Sequence, residues 1–367
     1  MQSNMWRTLG QESTIERLSH SIAEGTTHHA YLFLGPKNVG KRTLAIDLAC
    51  ALNCESADAP CGVCRACSRI LEGKHADILS IALDAGAAEE VEGDEESRKR
   101  RTRILTEQIG DLQRASTLPP YEGRFKILLV DHADRMTNEA ANRILKTLEE
   151  PPPHVVWMLL AEAEGRMLET VVSRCQRVDV HTMPVPELER HLAQVVGVQA
   201  DQARLVARVS RGRTGWALQA ISDATLMADR ASKTESVIQL ISMTYAARFD
   251  LSREMETQYR RDADSVVEAL DQWTTWWRDL LLVKTGCAES VVNVDYVNDI
   301  NQQAQRLSLE QVREYIGKLN EARQDLDLNV IPRLVFDSLV YTMPRIAKPA
   351  GDSAVPISVL PNTSETQ

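Results

Sequence analysis

The glycine loop GPKNVGKRT, residues 35–43, stands just ahead of a window, NCESADAPCGVCRAC, that holds four of the chain's seven cysteines: Cys54, Cys61, Cys64 and Cys67. Before the loop, YLFL at 31–34 reads as a short buried strand; after it, Leu44, Ala45, Leu48 and Leu52 recur at helical spacing. Strand, glycine loop and helix in that order make a phosphate-binding unit. A cysteine cluster at the end of that unit's own helix narrows the possibilities further than either motif does alone.

Six, two and two residues separate the four cysteines. The opening MQSNMWRTLGQEST has neither the basic nor the apolar stretch of a secretory signal, so a cytoplasmic chain is expected. Thiols stay reduced there, and clustered cysteines read as metal ligands rather than disulfides. Four thiolates suit tetrahedral zinc, and a site with every position filled by protein is structural, not catalytic. Four unrelated small residues on a helix and loop is the blander reading, and the weaker one, because cysteine is sparse elsewhere. Cys50, Cys175 and Cys287 are read as ordinary thiols.

The phosphate loop departs from a working one. Gly35, Gly40 and Lys41 supply the backbone cradle and the charge, but Arg42 stands where a hydroxyl should hold magnesium. Thr43 comes one residue late, about 100° further round a helix. KILLV at 126–130 is a second buried strand ending in Asp131, the carboxylate that would organise the metal. His132 then occupies the place of the acid that orients water for hydrolysis. Two departures in one site point to lost hydrolysis and leave ATP and Mg2+ binding open.

VVWMLL at 155–160 and QRVDV at 176–180 add two more strands. Between them and KILLV, Thr137 can cap a helix carrying Ala141, Ile144, Leu145 and Leu148, and Pro151, Pro152 and Pro153 stop it. Strands alternating with helices predict an α/β fold, a mostly parallel sheet with helices on both faces. Past residue 185 no strand pattern recurs. Val266, Leu270, Trp273, Trp277 and Leu281 mark one long amphipathic helix, and residues 307–343 supply at least two more, broken near Pro332. Tryptophan at helical spacing packs helices far more often than it stacks on bases, so a helical bundle is expected.

Residues 84–103 are acidic from Glu89 to Glu96 and basic from Arg98 to Arg103, which predicts a solvated, mobile loop rather than core. A regulatory or DNA-touching role for the basic half is the sharper alternative. The Pro-, Ser- and Thr-rich residues 347–367 are expected to be disordered. A net charge of −10 argues against gripping a phosphate backbone unaided. No apolar run is long enough to span a membrane.

The segments LGQESTIERLSHSIAEGTTHHAYLFLGP, ANRILKTLEEPPP and VVSRC, with the four cysteines, resemble the bacterial clamp-loader AAA+ family of the DNA polymerase III complex. The resemblance runs over about residues 8–345. WTTWWRDLLLVKTG and NVIPRLVFDSLV are similar to segments of its delta-prime branch rather than of the ATP-hydrolysing tau/gamma branch.

The family implies a RecA-like AAA+ domain over 1–182, with a zinc knuckle at 54–67 and the charged insert at 84–103. It implies a helical lid over 183–228 and a helical collar for ring assembly over 229–346, before the tail. It also implies a polar sensor where Glu162 stands and a lid sensor arginine near Gly215, in SRGRTGW, with Arg213 close by. Neither position holds the active residue. Ser173, Arg174 and Cys175 match the motif whose arginine reaches a neighbouring subunit's ATP, a task that suits a planar, permanently charged guanidinium. A lone arginine more often makes a surface salt bridge; the motif around this one favours the trans-acting role. The implied partners are tau/gamma and delta subunits, with the sliding clamp and primed DNA met through the complex.

Two other functions stay open at this point. Thr43 and Asp134 could replace the missing groups in a competent AAA+ ATPase, or the chain could be a free-standing zinc and nucleotide module unconnected with replication.

Overall fold

The computed structural model describes residues 5–83, 103–328 and 330–346. The insert expected at 84–103, apart from Arg103, and the tail expected at 347–367 lie outside the described residues. Five parallel strands form one sheet: β1 (Ala30–Leu34), β2 (Ile78–Ile81), β3 (Lys126–Val130), β4 (Val155–Ala161) and β5 (Gln176–Asp179), in the order β2-β3-β4-β1-β5. Every residue of β1, β3 and β4 is buried, as the continuous apolar runs require of inner parallel strands.

Side chains alternate between the two faces of each strand. Tyr31, Phe33, Ile127, Leu129, Met158 and Leu160 pack with Leu18 of α1 (Glu12–Ala23) and with Leu44 and Leu48 of α2 (Lys41–Asn53). Leu32, Leu34, Leu128, Val130, Trp157 and Leu159 pack with Ile109 and Leu112 of α4 (Thr106–Ser116) and Ile144 and Leu148 of α5 (Asn138–Glu149). Between α2 and β2 runs the short α3 (Arg65–Leu71). Thr137 caps α5 as expected, its hydroxyl accepting from the Ala140 amide at 3.2 Å. Strand β2 was not anticipated: it is four residues long, lies at the sheet edge and has no fully buried residue, so ILSI lacks the run that marks the inner strands.

The described residues divide into two units, one within Met1–Pro184 and Gly212–Trp216, the other within Val185–Arg211 and Ala217–Gln367. Short α6 (Glu169–Val172) precedes β5 in the first. The second is helical: α7 (Val185–His191), α8 (Ala200–Ser210), α9 (Thr214–Ser222) from Ala217 on, α10 (Ala224–Leu240), α11 (Tyr245–Arg261), α12 (Ala263–Lys284), α13 (Val297–Arg306), α14 (Leu309–Asp327) and α15 (Pro332–Thr342). Its core gathers around Trp273, Trp276 and Trp277 of α12. Only Trp276 finds a partner, donating from Nε1 to Gln303 at 2.9 Å; the indole N–H groups of Trp273 and Trp277 are buried without one. Each ring removes about 150–250 Å² from water, roughly 4–6 kcal/mol of transfer energy, which outweighs an unmade hydrogen bond of about 1–3 kcal/mol. The tryptophans therefore serve as packing, as their spacing predicts.

Candidate functional site

Gly35 and Gly40 hold the loop between β1 and α2. A side chain at Gly35 would lie 2.2 Å from the Val180 carbonyl oxygen, and Gly40 has φ of +107°, where glycine is favoured. Lys41 follows, but its ammonium turns onto its own loop, donating to the carbonyls of Gly35 at 2.6 Å and Pro36 at 2.8 Å. Burial pushes its pKa below the ordinary lysine value, while Glu162, Asp134 and Asp131 pull it back up.

Arg42 does more than omit a hydroxyl. Its Nη1 lies 3.3 Å from Asp131 Oδ2, so a guanidinium neutralises the carboxylate that would organise magnesium. His132 sits in the left-handed region with φ of 54°. Asp134 is buried with Oδ1 unpartnered, and burial, then the Glu162 charge, raises its pKa. A carboxyl biased toward its neutral form is a poor replacement for a metal-organising or water-orienting acid. Beside the loop, a cleft of about 330 Å³ is lined by Glu162, Glu164 and Asp179 as well as Arg177 and His181, an acidic balance that repels polyphosphate.

The position expected for the lid sensor closes the loop from another side. The Trp216 amide donates to the Asn38 carbonyl at 3.1 Å, and the Thr214 hydroxyl to the Val39 carbonyl at 3.0 Å. Between them, a side chain at Gly215 would meet the Asn38 carbonyl oxygen at 2.8 Å. Nothing in the local sequence marked these contacts, which join residues 175 and 178 positions apart. Taken together, these residues do not fit bound Mg2+ and ATP.

The four cysteines do converge. Cys54 caps the end of α2, Cys64 precedes α3 and Cys67 lies on it, and all four Sγ atoms, Cys61 included, lie within 4.8 Å of one another. Backbone amides of Ser56, Cys64 and Cys67 donate to the sulfurs of Cys54, Cys61 and Cys64 at 3.3–3.4 Å. Backbone N–H groups draw Cys61 down to about 7, while burial raises Cys54 and Cys67. Four sulfurs this close can serve as thiolate ligands to one cation, and the donor set fits a divalent metal of zinc's softness. The module is tied to the sheet through Arg124, which donates to the Cys54 carbonyl at 2.6 Å, and the Phe125 amide, which donates to Asn53 at 2.9 Å.

Residues 173–175 sit between α6 and β5. The Ser173 hydroxyl donates back to the Thr170 carbonyl at 3.3 Å, and the Cys175 thiol packs against the sheet core, where burial raises its pKa to about 12. The motif is thus anchored on both sides of Arg174, whose guanidinium reaches the surface, 36% exposed, and pairs with Glu149 at 2.7 Å. That partner was missed, although Glu149 belongs to the LEEPPP segment.

Residues 10–184 match the family described as DNA polymerase III, delta subunit, and residues 254–338 its C-terminal counterpart. The DNA polymerase III subunit delta' of Bacillus subtilis (strain 168) is 27% identical over 343 residues, covering 92% of this chain and 98% of that protein. The chain belongs to the DNA polymerase III delta'/tau/gamma subunit family. The tau subunit of Escherichia coli K12 is 32% identical over 240 residues, 64% of this chain but 35% of that protein, so this chain spans about a third of that relative's length. A gamma subunit-related protein of Thermotoga maritima superposes with a TM-score of 0.37 at 17% identity over 89% of this chain and 97% of that one, too loosely to define a fold. No described helix is long and apolar enough to cross a membrane.

Proposed function

We propose that the chain is a delta-prime-like clamp-loader subunit that does not hydrolyse ATP. It stiffens a ring through its helical second unit and lends Arg174 to the ATP site of a neighbouring tau/gamma subunit. The observation that carries this reading is the ion pair between Arg42 and Asp131: the cation at the magnesium-organising carboxylate belongs to the protein. Lys41, bonded to its own loop, and the 214–216 segment point the same way. The competent-ATPase alternative needs Thr43 and Asp134 to act, and Asp134 is buried with a raised pKa.

Residues 183–228 act as the lid and 229–346 as the collar in this scheme, with delta as a further partner and the sliding clamp and primed DNA met through the assembled ring in the cytoplasm. Zinc held by Cys54, Cys61, Cys64 and Cys67 is structural: it ties the ends of α2 and α3 together and takes no part in chemistry. The test is ATP turnover by the purified chain and by a loader reconstituted with its cognate subunits. The chain alone should turn over no ATP, and Arg174→Ala should reduce turnover by the loader, by analogy with fingers worth about 10³–10⁵ at one site. Turnover by the isolated chain at a loader's rate refutes the first claim; undiminished turnover with Arg174→Ala refutes the second.

A further inference from the structure

In the free chain Arg174 is held at two points. Nη1 donates to the Thr170 carbonyl at 2.9 Å, and Nη2 donates to Glu149 Oε1 at 2.7 Å. The first contact is local; the second reaches 25 positions back to the final residue of α5. A carboxylate is poorly placed there, because the end of a helix carries partial negative charge of its own and Glu150 adds another. A guanidinium answers that charge. It has five N–H donors, and the two contacts leave three of them for an oxygen-rich ligand.

We propose that Glu149 is the positioning residue for Arg174. Together with the Thr170 carbonyl it fixes the guanidinium in one orientation at the surface, ready for the polyphosphate of an adjacent subunit. The inference rests on the trans-acting reading above. An arginine gives up much rotamer freedom when it is ordered, and an orientation imposed beforehand removes that cost from the step in which the finger acts. A restraining latch would have to hold against a triphosphate. Glu149 and Arg174 are 50% and 36% exposed, so solvent screens their attraction too far for a latch, while the three remaining N–H groups can meet phosphate oxygens with the carboxylate still in place.

The experiment uses loaders reconstituted from cognate tau/gamma and delta subunits with variants of this chain, and reads kcat and KM for ATP in DNA-stimulated turnover. E149A should slow turnover at the site Arg174 serves roughly three- to tenfold, the scale of a few lost side-chain rotamers, which whole-loader kcat shows as part of the loss that R174A causes, with KM for ATP unchanged. E149Q keeps an acceptor oxygen and should recover most of the loss. The E149A/R174A double variant should be no slower than R174A alone, because Glu149 acts only through Arg174. Thermal midpoints should match the parent chain, which separates positioning from a folding defect. A higher kcat for E149A would identify a latch and overturn the proposal. An unchanged kcat for E149A beside a reduced one for R174A would overturn it while leaving the finger intact. If R174A has no effect, the trans-acting reading falls first and this inference with it.

Discussion

At the scale of single residues, the glycine loop between β1 and α2 has contacts that its motif does not display. The substitution at Arg42 is visible in the sequence; its pairing with Asp131, 89 positions away, is not, because only the sheet order brings β1 and β3 to the same end. Arg42→Thr with His132→Glu should therefore remain without turnover, since Lys41 still bonds to its own carbonyls and Gly215 still abuts Asn38. Robust hydrolysis by that double variant would show that the closed loop opens freely. Asp77 carries a different prediction. Its buried carboxylate accepts from the amides of Tyr121, Glu122 and Gly123 at 2.7–2.8 Å, and although burial pushes the pKa up, these bonds bring it below the ordinary aspartate value. A depressed folded pKa stabilises the fold above the unfolded value, near pH 4, and that contribution is lost as pH falls through the folded value. Asp77→Asn should cost about 2 kcal/mol at neutral pH, and denaturant midpoints of variant and parent should draw together in acid.

At the scale of elements, the inner strands and α12 were legible because burial on all sides, or on one helical stripe, leaves a run or a period in the sequence. Strand β2 was not: β5, at the other edge, still buries Val178, whereas ILSI has no fully buried residue. Arg248 of α11 was equally silent, because nothing in its neighbours marks an arginine as buried. It has no exposed surface, and its five N–H donors meet five carbonyls: Leu240 and Ile241 at the end of α10, and Val340, Met343 and Pro344 at the end of α15, at 2.6–3.3 Å. The negative ends of two helices stand in for a counterion. Arg248→Met should cost at least about 3 kcal/mol by stranding buried carbonyls, and Arg248→Lys should fall between, as three donors cannot replace a five-donor fork. Equal unfolding midpoints for Arg248→Met and the parent would refute the argument. The cysteine module makes the opposite case: its spacing announced it, and the four sulfurs meet as predicted. Cys64→Ser or a strong chelator should lower the melting temperature of the first unit. Elemental analysis checks the premise, with one zinc per chain expected.

At the scale of the whole molecule, the order of the strands in space is far from their order in the chain, and this bears on synthesis. β1 pairs only with β4 and β5, and Ala30 lies opposite Trp157, 157 − 30 = 127 positions later. At roughly 5–20 residues per second, a ribosome needs between about 6 and 25 s to deliver that partner. Throughout that interval AYLFL and the apolar stripe of α2 have no sheet to join, an invitation to holding chaperones. The 214–216 segment emerges later still, 175 positions after the loop whose carbonyl its hydroxyl meets. A growing chain therefore carries the loop between β1 and α2 for a further stretch of synthesis after β4 has emerged and before the segment that fastens it exists.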